Sequence, residues 1–160
     1  MKKATLVYLF KDENTILLAE KKYGAAKGIW NGIGGKYDEA QDADILDTLI
    51  RETFEEISVR LTSHHQVGKL NYYKEQNDPN AIEKQHEIYV YKSYDWEGDV
   101  QETEEMRPQW FDLSEIPFDK LWPVDKLWLP FILKSGFLEG TLTYREGAKE
   151  PHKIQLDFCN

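Results

Sequence analysis

The sequence holds a single cysteine, Cys159, among 160 residues. No disulfide can close within the chain, and a reducing compartment suits it, so a cytoplasmic location is expected. Long apolar runs are also missing. None approaches the ~18 residues of a membrane-crossing helix, and Met1-Lys2-Lys3-Ala4 leads into an alternating stretch instead of a signal-type apolar core. No membrane association is expected. Basic residues are outnumbered, 20 against 29 acidic, giving a net charge of −9. A domain that grips nucleic acid polymers by releasing counterions presents a basic face, so that class is set aside. Histidines number four: His64, His65, His86 and His152. No two stand at i, i+4 on a helix and no cysteine partners them, which leaves no zinc pattern and suits surface or strand positions. No nucleophile–base pattern for covalent catalysis stands out either.

Aromatic residues are plentiful: five Trp, nine Tyr and seven Phe. They supply large apolar areas, and a domain of this length buries roughly 70% of its unfolded surface. One globular domain over residues 1–160 is expected, as a monomer. An acidic chain of this kind could bind polyphosphate only with a divalent metal or a local basic pocket between the two negative partners.

Hydrophobic alternation predicts strands at 3–10 and 15–20 around the turn Lys11-Asp12-Glu13-Asn14. Residues 23–36 carry five glycines and read as a loop. Residues 44–57 place Ile45, Leu49, Ile50, Phe54 and Ile57 at helical spacing, with Asp44 as N-cap. His65–Tyr73 and His86–Tyr94 read as strands separated by Gln76-Asn77-Asp78-Pro79-Asn80, and Pro108–Leu113 as a short strand. Pro123 suits position N1 of a helix running to Leu133. Strands at 138–145 and 153–158 close as a hairpin around Glu146-Gly147. Strands dominate and two helices punctuate them, which makes the class α+β.

The chemistry concentrates in Arg51-Glu52-Thr53-Phe54-Glu55-Glu56. On a helix Glu52, Glu55 and Glu56 share one face, where like charges repel by a few tenths of a kcal/mol per pair (~0.2–0.5). A hard divalent cation rewards such a cluster, because Mg²⁺ takes carboxylate oxygens and completes its shell with water and substrate phosphates. The alternative is a solvated acidic face, held by Asp47–Arg51 and Arg51–Glu55 pairs. Just upstream runs Gly28-Ile29-Trp30-Asn31-Gly32-Ile33-Gly34-Gly35-Lys36. It is not a Walker A loop, because Tyr37 follows the lysine where Ser or Thr is needed, and it is not a dinucleotide fingerprint.

Gly34-Gly35-Lys36 followed by Arg51-Glu52-Thr53-Phe54-Glu55-Glu56-Ile57-Ser58-Val59 resembles the Nudix box, G-x5-E-x7-R-E-U-x-E-E-x-G-U with U apolar. The resemblance implies an α/β/α Nudix sandwich with a mixed central sheet and the box as loop–helix–loop. It also implies Mg²⁺-dependent hydrolysis of nucleoside diphosphates linked to another group, with Mn²⁺ as a substitute ion. The spacing from Gly35 to Arg51 is two residues longer than the pattern, so Glu39, Asp42 or Asp44 stands in for the isolated Glu. Thr53 occupies an apolar position and Ser58 the final glycine position.

A closer resemblance covers roughly residues 4–145. Trp30-Asn31-Gly32-Ile33-Gly34-Gly35-Lys36, Glu104-Glu105-Met106-Arg107-Pro108-Gln109-Trp110-Phe111, Ile116-Pro117-Phe118 and Leu121-Trp122-Pro123, with Trp128 and Pro130, are similar to the animal MutT-homologue branch. Those are the oxidised purine nucleoside triphosphate (8-oxo-dGTP) diphosphatases. This resemblance implies Glu56 as principal metal ligand and Glu52 and Glu55 as completing the metal and water site, with Glu52 the first choice of base. It implies Glu105 as the distal acid and the Gly34 carbonyl as a further ligand. Arg51 would orient the glutamates, and Lys21 or Lys36 would meet phosphate. For the base it implies Trp122 as stacking wall and Asn31 and Asp125 as readers, with Tyr72 a second wall and Thr5 a lining position. Trp30, Trp110 and Trp128 are expected in the core. For Asn31 a turn role, and for Asp125 a helix-dipole role, stand as alternatives. Two departures bear on the base: Val124 stands where the branch has a second Asp, and Ala25 where it has a pocket aromatic. The expected product pair is a nucleoside monophosphate and pyrophosphate. Other nucleotides, nucleotide-sugars or a catalytically silent nucleotide-binding module remain as alternatives.

Overall fold

The structure is a computed structural model and describes residues 1–77 and 81–160. Its centre is β1 (Lys2–Asp12), buried on both faces from Thr5 to Phe10. Alternation sends Leu6, Tyr8 and Phe10 into one hydrophobic core and Val7 and Leu9 into another on the opposite face. One edge of β1 pairs in parallel with β7 (Ile82–Ser93), which pairs antiparallel with β6 (His65–Glu75). Beyond β6 lie β10 (Phe137–Arg145), parallel to it, and β11 (Lys153–Cys159), antiparallel to β10. The other side of β1 takes β4 (Ile33–Lys36) on its first half and β2 (Thr15–Lys21) at its end. β2 in turn pairs with β3 (Trp30–Asn31) and β9 (Met106–Asp112). The short pair β5 (Arg60–Leu61) and β8 (Trp96–Glu97) completes the strands.

Helix α1 (Ile45–Ile57) covers one face of this mixed sheet, with Leu49 and Ile57 in the core that holds Val7 and Leu9. Helix α2 (Asp125–Ile132) covers the other, with Trp128, Leu129 and Ile132 packed among Leu6, Tyr8 and Phe10. The α/β/α order and the α+β class are therefore as the sequence leads one to expect. No helix among the described residues is long and apolar enough to cross a membrane.

Several expectations need correction. Residues 23–36 are not loop throughout, since β3 and β4 form within them. Glycine permits this: a Cβ on Gly34 would lie 1.9 Å from the Thr5 carbonyl oxygen, so only a residue without one lets β4 approach β1 so closely. Pro123 is not the first residue of the second helix. It sits in a turn closed by the Asp125 N–H donating to the Trp122 carbonyl at 2.9 Å, and the helix starts at Asp125. Strand β1 continues through Asp12, narrowing the first turn, and β7 starts earlier than expected, at Ile82. The expected turn at 76–80 includes Asp78, Pro79 and Asn80, which lie outside the described residues.

Candidate active site

The first turn of α1 is set by Asp44, whose side chain accepts from the Asp47 N–H at 3.0 Å. Its C-terminus is closed by Ser58 in the left-handed region, φ 65° and ψ 23°. This is the position where glycine is favoured, so the serine holds a strained backbone conformation. Thr53 fits its buried position because its hydroxyl donates to the Leu49 carbonyl at 2.7 Å.

Arg51 organises the acidic face. Its guanidinium donates from Nε to Asp42 Oδ1 and from Nη2 to Asp42 Oδ2, both at 2.8 Å. Nη1 reaches Glu52 at 3.0 Å and Glu55 at 3.3 Å, and Nη2 also meets the Lys36 carbonyl at 3.2 Å. Of the three acids expected to stand in for the isolated Glu of the box, Asp42 is the one that grips Arg51. The Asp47–Arg51 pair of the alternative reading does not form; Asp47 accepts from the Ala43 N–H at 2.9 Å instead. Asp42 is buried and also accepts from Thr48 and from the Asp38 N–H. The Arg51 bonds hold its carboxyl far below the ordinary carboxylate range.

Glu56 is the buried acid of the face, and the Gly34 N–H points at its Oε2 from 3.4 Å. Burial pushes its pKa up to about 8, with Glu52 and Glu105 adding repulsion and Lys21 opposing it. Burial likewise raises Glu52, against the pull of Arg51, and Glu55 and Glu105 add to the rise. Gly35 leaves room for the Glu52 carboxyl, since a Cβ there would lie 2.1 Å from its carboxyl carbon and the side chain would have to shift. Glu55 is exposed and turned to Arg51. Glu105 is half-buried in the loop before β9, fixed through its backbone N–H to the Thr103 hydroxyl and its carbonyl to the Lys22 N–H.

No three acids or histidines among the described residues converge closely enough to form a ready ion cage. The donor chemistry nonetheless fits a hard divalent cation. Glu52, Glu56 and Glu105 repel one another in a partly desolvated place, and a cation offsets both costs at once. At Gly34 it is the N–H, not the carbonyl, that meets Glu56.

Two adjoining cavities form the cleft. One of ≈ 260 Å³ is lined by Thr5, Lys21, Gly34 and Glu56. The other, of ≈ 360 Å³, is lined by Tyr72, Asp125, Trp128 and Tyr144. Asn31 and Trp122 line both and so mark where they meet. Trp122 is 42% exposed, which leaves its indole free for a ligand. Tyr72 stacks on Tyr144 at 6.0 Å and 16°. Asp125 is buried, accepts from Trp128 Nε1 at 3.1 Å through Oδ1, and leaves Oδ2 without a partner among the described residues. Burial raises its pKa to about 7, against the Trp128 bond. Thr5 is buried with its hydroxyl unpartnered. Asn31 Oδ1 accepts from the Gly32 N–H at 2.8 Å, so the turn role and the lining role coexist.

A family model described as the NUDIX domain matches residues 1–131. The chain belongs to the NUDIX family. It is 35% identical over 142 residues to the mouse (Mus musculus) oxidized purine nucleoside triphosphate hydrolase, covering 89% of this chain and 86% of that protein. The zebrafish (Danio rerio) protein of the same name is 34% identical over 124 residues, covering 77% and 75%. A crystal structure of a MutT protein from Bacillus halodurans superposes with a TM-score of 0.78 at 23% identity, over 98% of both chains, which shows the fold. This Nudix protein is thus a nucleotide pyrophosphohydrolase closely related to the MutT-type enzymes.

Sequence reasoning missed part of the second cavity. Tyr144, His86, Lys2 and Lys149 line it, and Lys36, expected at phosphate, lines this end too. Strand parity was the available signal: Tyr72 faces His86 across β6–β7, and His86 faces Lys2 across β7–β1. Trp30 and Trp128 are core residues as expected, but Trp128 also forms cavity wall. Trp110 is half-buried and stacks on Trp96. Ala25 is exposed, and its neighbour Ala26 lines the cleft.

Proposed function

We propose that this Nudix enzyme hydrolyses oxidised purine (deoxy)nucleoside triphosphates, with 8-oxo-dGTP the best candidate, in the sanitation of the cytoplasmic nucleotide pool. The observation that carries the reading is a pair of adjoining cavities, one lined by the buried Glu56 and the other by an aromatic wall with the buried carboxyl of Asp125. The names of the mouse and zebrafish relatives point the same way.

In this reading water attacks phosphorus, the bond from that phosphorus to its bridging oxygen breaks, and nucleoside monophosphate and pyrophosphate leave. Glu56, Glu52 and Glu105 would hold Mg²⁺, with Glu55 on the solvent side and the Gly34 carbonyl as a further donor. When bound, the ion neutralises phosphate oxygens and lowers the pKa of the attacking water. Glu52 takes the proton of that water, and Arg51 keeps its carboxylate in place. Lys21 meets the phosphates beside Glu56. Trp122 stacks on the purine, Tyr72 forms the second wall, and Asn31, Asp125 and Thr5 supply its polar contacts. The test is product analysis on a panel of 8-oxo-dGTP, 2-oxo-dATP, dGTP, dATP and nucleotide-sugars, with and without Mg²⁺. Preferred release of pyrophosphate from the oxidised triphosphates, only with the ion, is expected; release of inorganic phosphate, or a preference for nucleotide-sugars, would overturn it.

A further inference from the structure

His86 is among the polar side chains that line the second cavity and have no role so far. His86 stands on β7 opposite Tyr72 of β6 and opposite Lys2 of β1. Its ring meets Tyr72 edge-on, with centroids 6.4 Å apart and planes at 85°. It lines the same cavity as Asp125 and belongs to neither hydrophobic core. A histidine on an open strand face needs no explanation, but one turned into an aromatic-walled cavity supplies a hydrogen-bonding group where a ligand sits.

The charges around it decide which group it can serve. Lys2 and Lys36 line the cavity with it, and neither is paired with a carboxylate among the described residues. Such a place favours an electron-rich ligand atom. Burial, with Lys2, Lys36 and the amino terminus adding repulsion, lowers the His86 pKa. The neutral ring keeps one N–H to donate. Asp125 of the same cavity comes from a different element and already spends Oδ1 on Trp128.

We propose that His86 is a specificity-determining residue that donates a ring N–H to a carbonyl oxygen of the bound base, so that the cleft selects oxo-purines over purines bearing only amino groups. The inference rests on the purine reading above and extends it to a residue that reading does not use.

The experiment has two arms. In the first, kcat/KM is measured for 8-oxo-dGTP, dGTP and dATP with the wild type, His86→Leu and His86→Gln. His86→Leu should lower the ratio of oxo-purine to dATP on the order of tenfold, the scale of one lost hydrogen bond. His86→Gln keeps an N–H donor and should retain most of the ratio. In the second arm, metal-free wild-type protein with ¹⁵N-labelled histidine is titrated with 8-oxo-dGMP and with dAMP. The His86 ring nitrogens should shift with the first and not with the second. Ratios within twofold of wild type for His86→Leu, or ring shifts that are absent or equal for the two nucleotides, would overturn the proposal. If the wild type hydrolyses none of the triphosphates, the proposed activity fails by itself, and the titration still decides the role of His86.

Discussion

Arg51 holds both oxygens of Asp42, each at 2.8 Å, across the loop that is two residues longer than the Nudix pattern. The longer loop is therefore still anchored, by a shorter acid reaching from a displaced position. Asp42 is almost wholly buried and Arg51 mostly so. Breaking such a pair strands a buried charge, which costs roughly 3–5 kcal/mol. Asp42→Ala should lower stability to chemical denaturation by about that amount. It should also lower turnover, because Arg51 loses the anchor from which it positions Glu52. The carboxyl is depressed in the folded state, so its contribution is present above the ordinary value of 3.8 and fades as the pH falls below it.

Glu56 has the opposite sign. Its pKa rises from 4.5 to about 8 on folding. Between those values the unfolded chain has lost a proton that the folded chain keeps, so metal-free stability declines as the pH climbs through that window. Glu56→Gln should flatten this slope in thermal melts recorded without metal. The same variant should lose Mg²⁺-dependent turnover while remaining folded. Near-normal turnover at saturating Mg²⁺ would remove Glu56 from the metal site.

Glu105 lies 49 residues beyond Glu56 in sequence, yet it contributes to the electrostatics of both Glu52 and Glu56. Glu105→Gln should raise the Mg²⁺ concentration needed for half-maximal rate, or lower the rate, with little change in melting temperature. A wild-type Mg²⁺ titration curve and rate would place it outside the site.

Asp125 lines the second cavity, and its Oδ2 has no partner among the described residues. Asp125→Asn should cost on the order of 1–3 kcal/mol in kcat/KM for the preferred base, the scale of an unsatisfied buried polar group. The loss should appear in the ratio between modified and unmodified purines, since the acids of α1 are untouched. Val124→Asp should move that ratio towards 8-oxo-dGTP. Unchanged ratios in both variants would return Asp125 to a helix-terminus role.

Most of the acid end was legible in the sequence. The spacing of Glu52, Glu55 and Glu56, the cap at Asp44 and the alternation in β1 are local patterns, and local geometry follows from them. The glycine segment was misjudged because a strand two to four residues long carries little periodicity. Only its approach to Thr5 reveals why the glycines are there. The choice among Glu39, Asp42 and Asp44 also needed three dimensions, since all lie within reach of Arg51 along the chain. The base end was less legible still: Tyr72, His86 and Tyr144 are brought together by the β10–β6–β7 order, which no single stretch encodes.

The meeting of the two cavities at Asn31 and Trp122 has a consequence for inheritance. In the proposed reading the acids of the metal site hang from α1 and the loop before β9, while the walls of the second cavity come chiefly from β1, β6, β7, β10 and α2. On that reading a lineage can exchange Val124, His86 or Tyr144 and acquire a taste for another nucleotide without disturbing the acids on α1. Drift in diet at constant chemistry is what such a division permits, and the residues shared by the two cavities, Ala4, Leu6, Asn31, Ile88 and Trp122, answer to both halves.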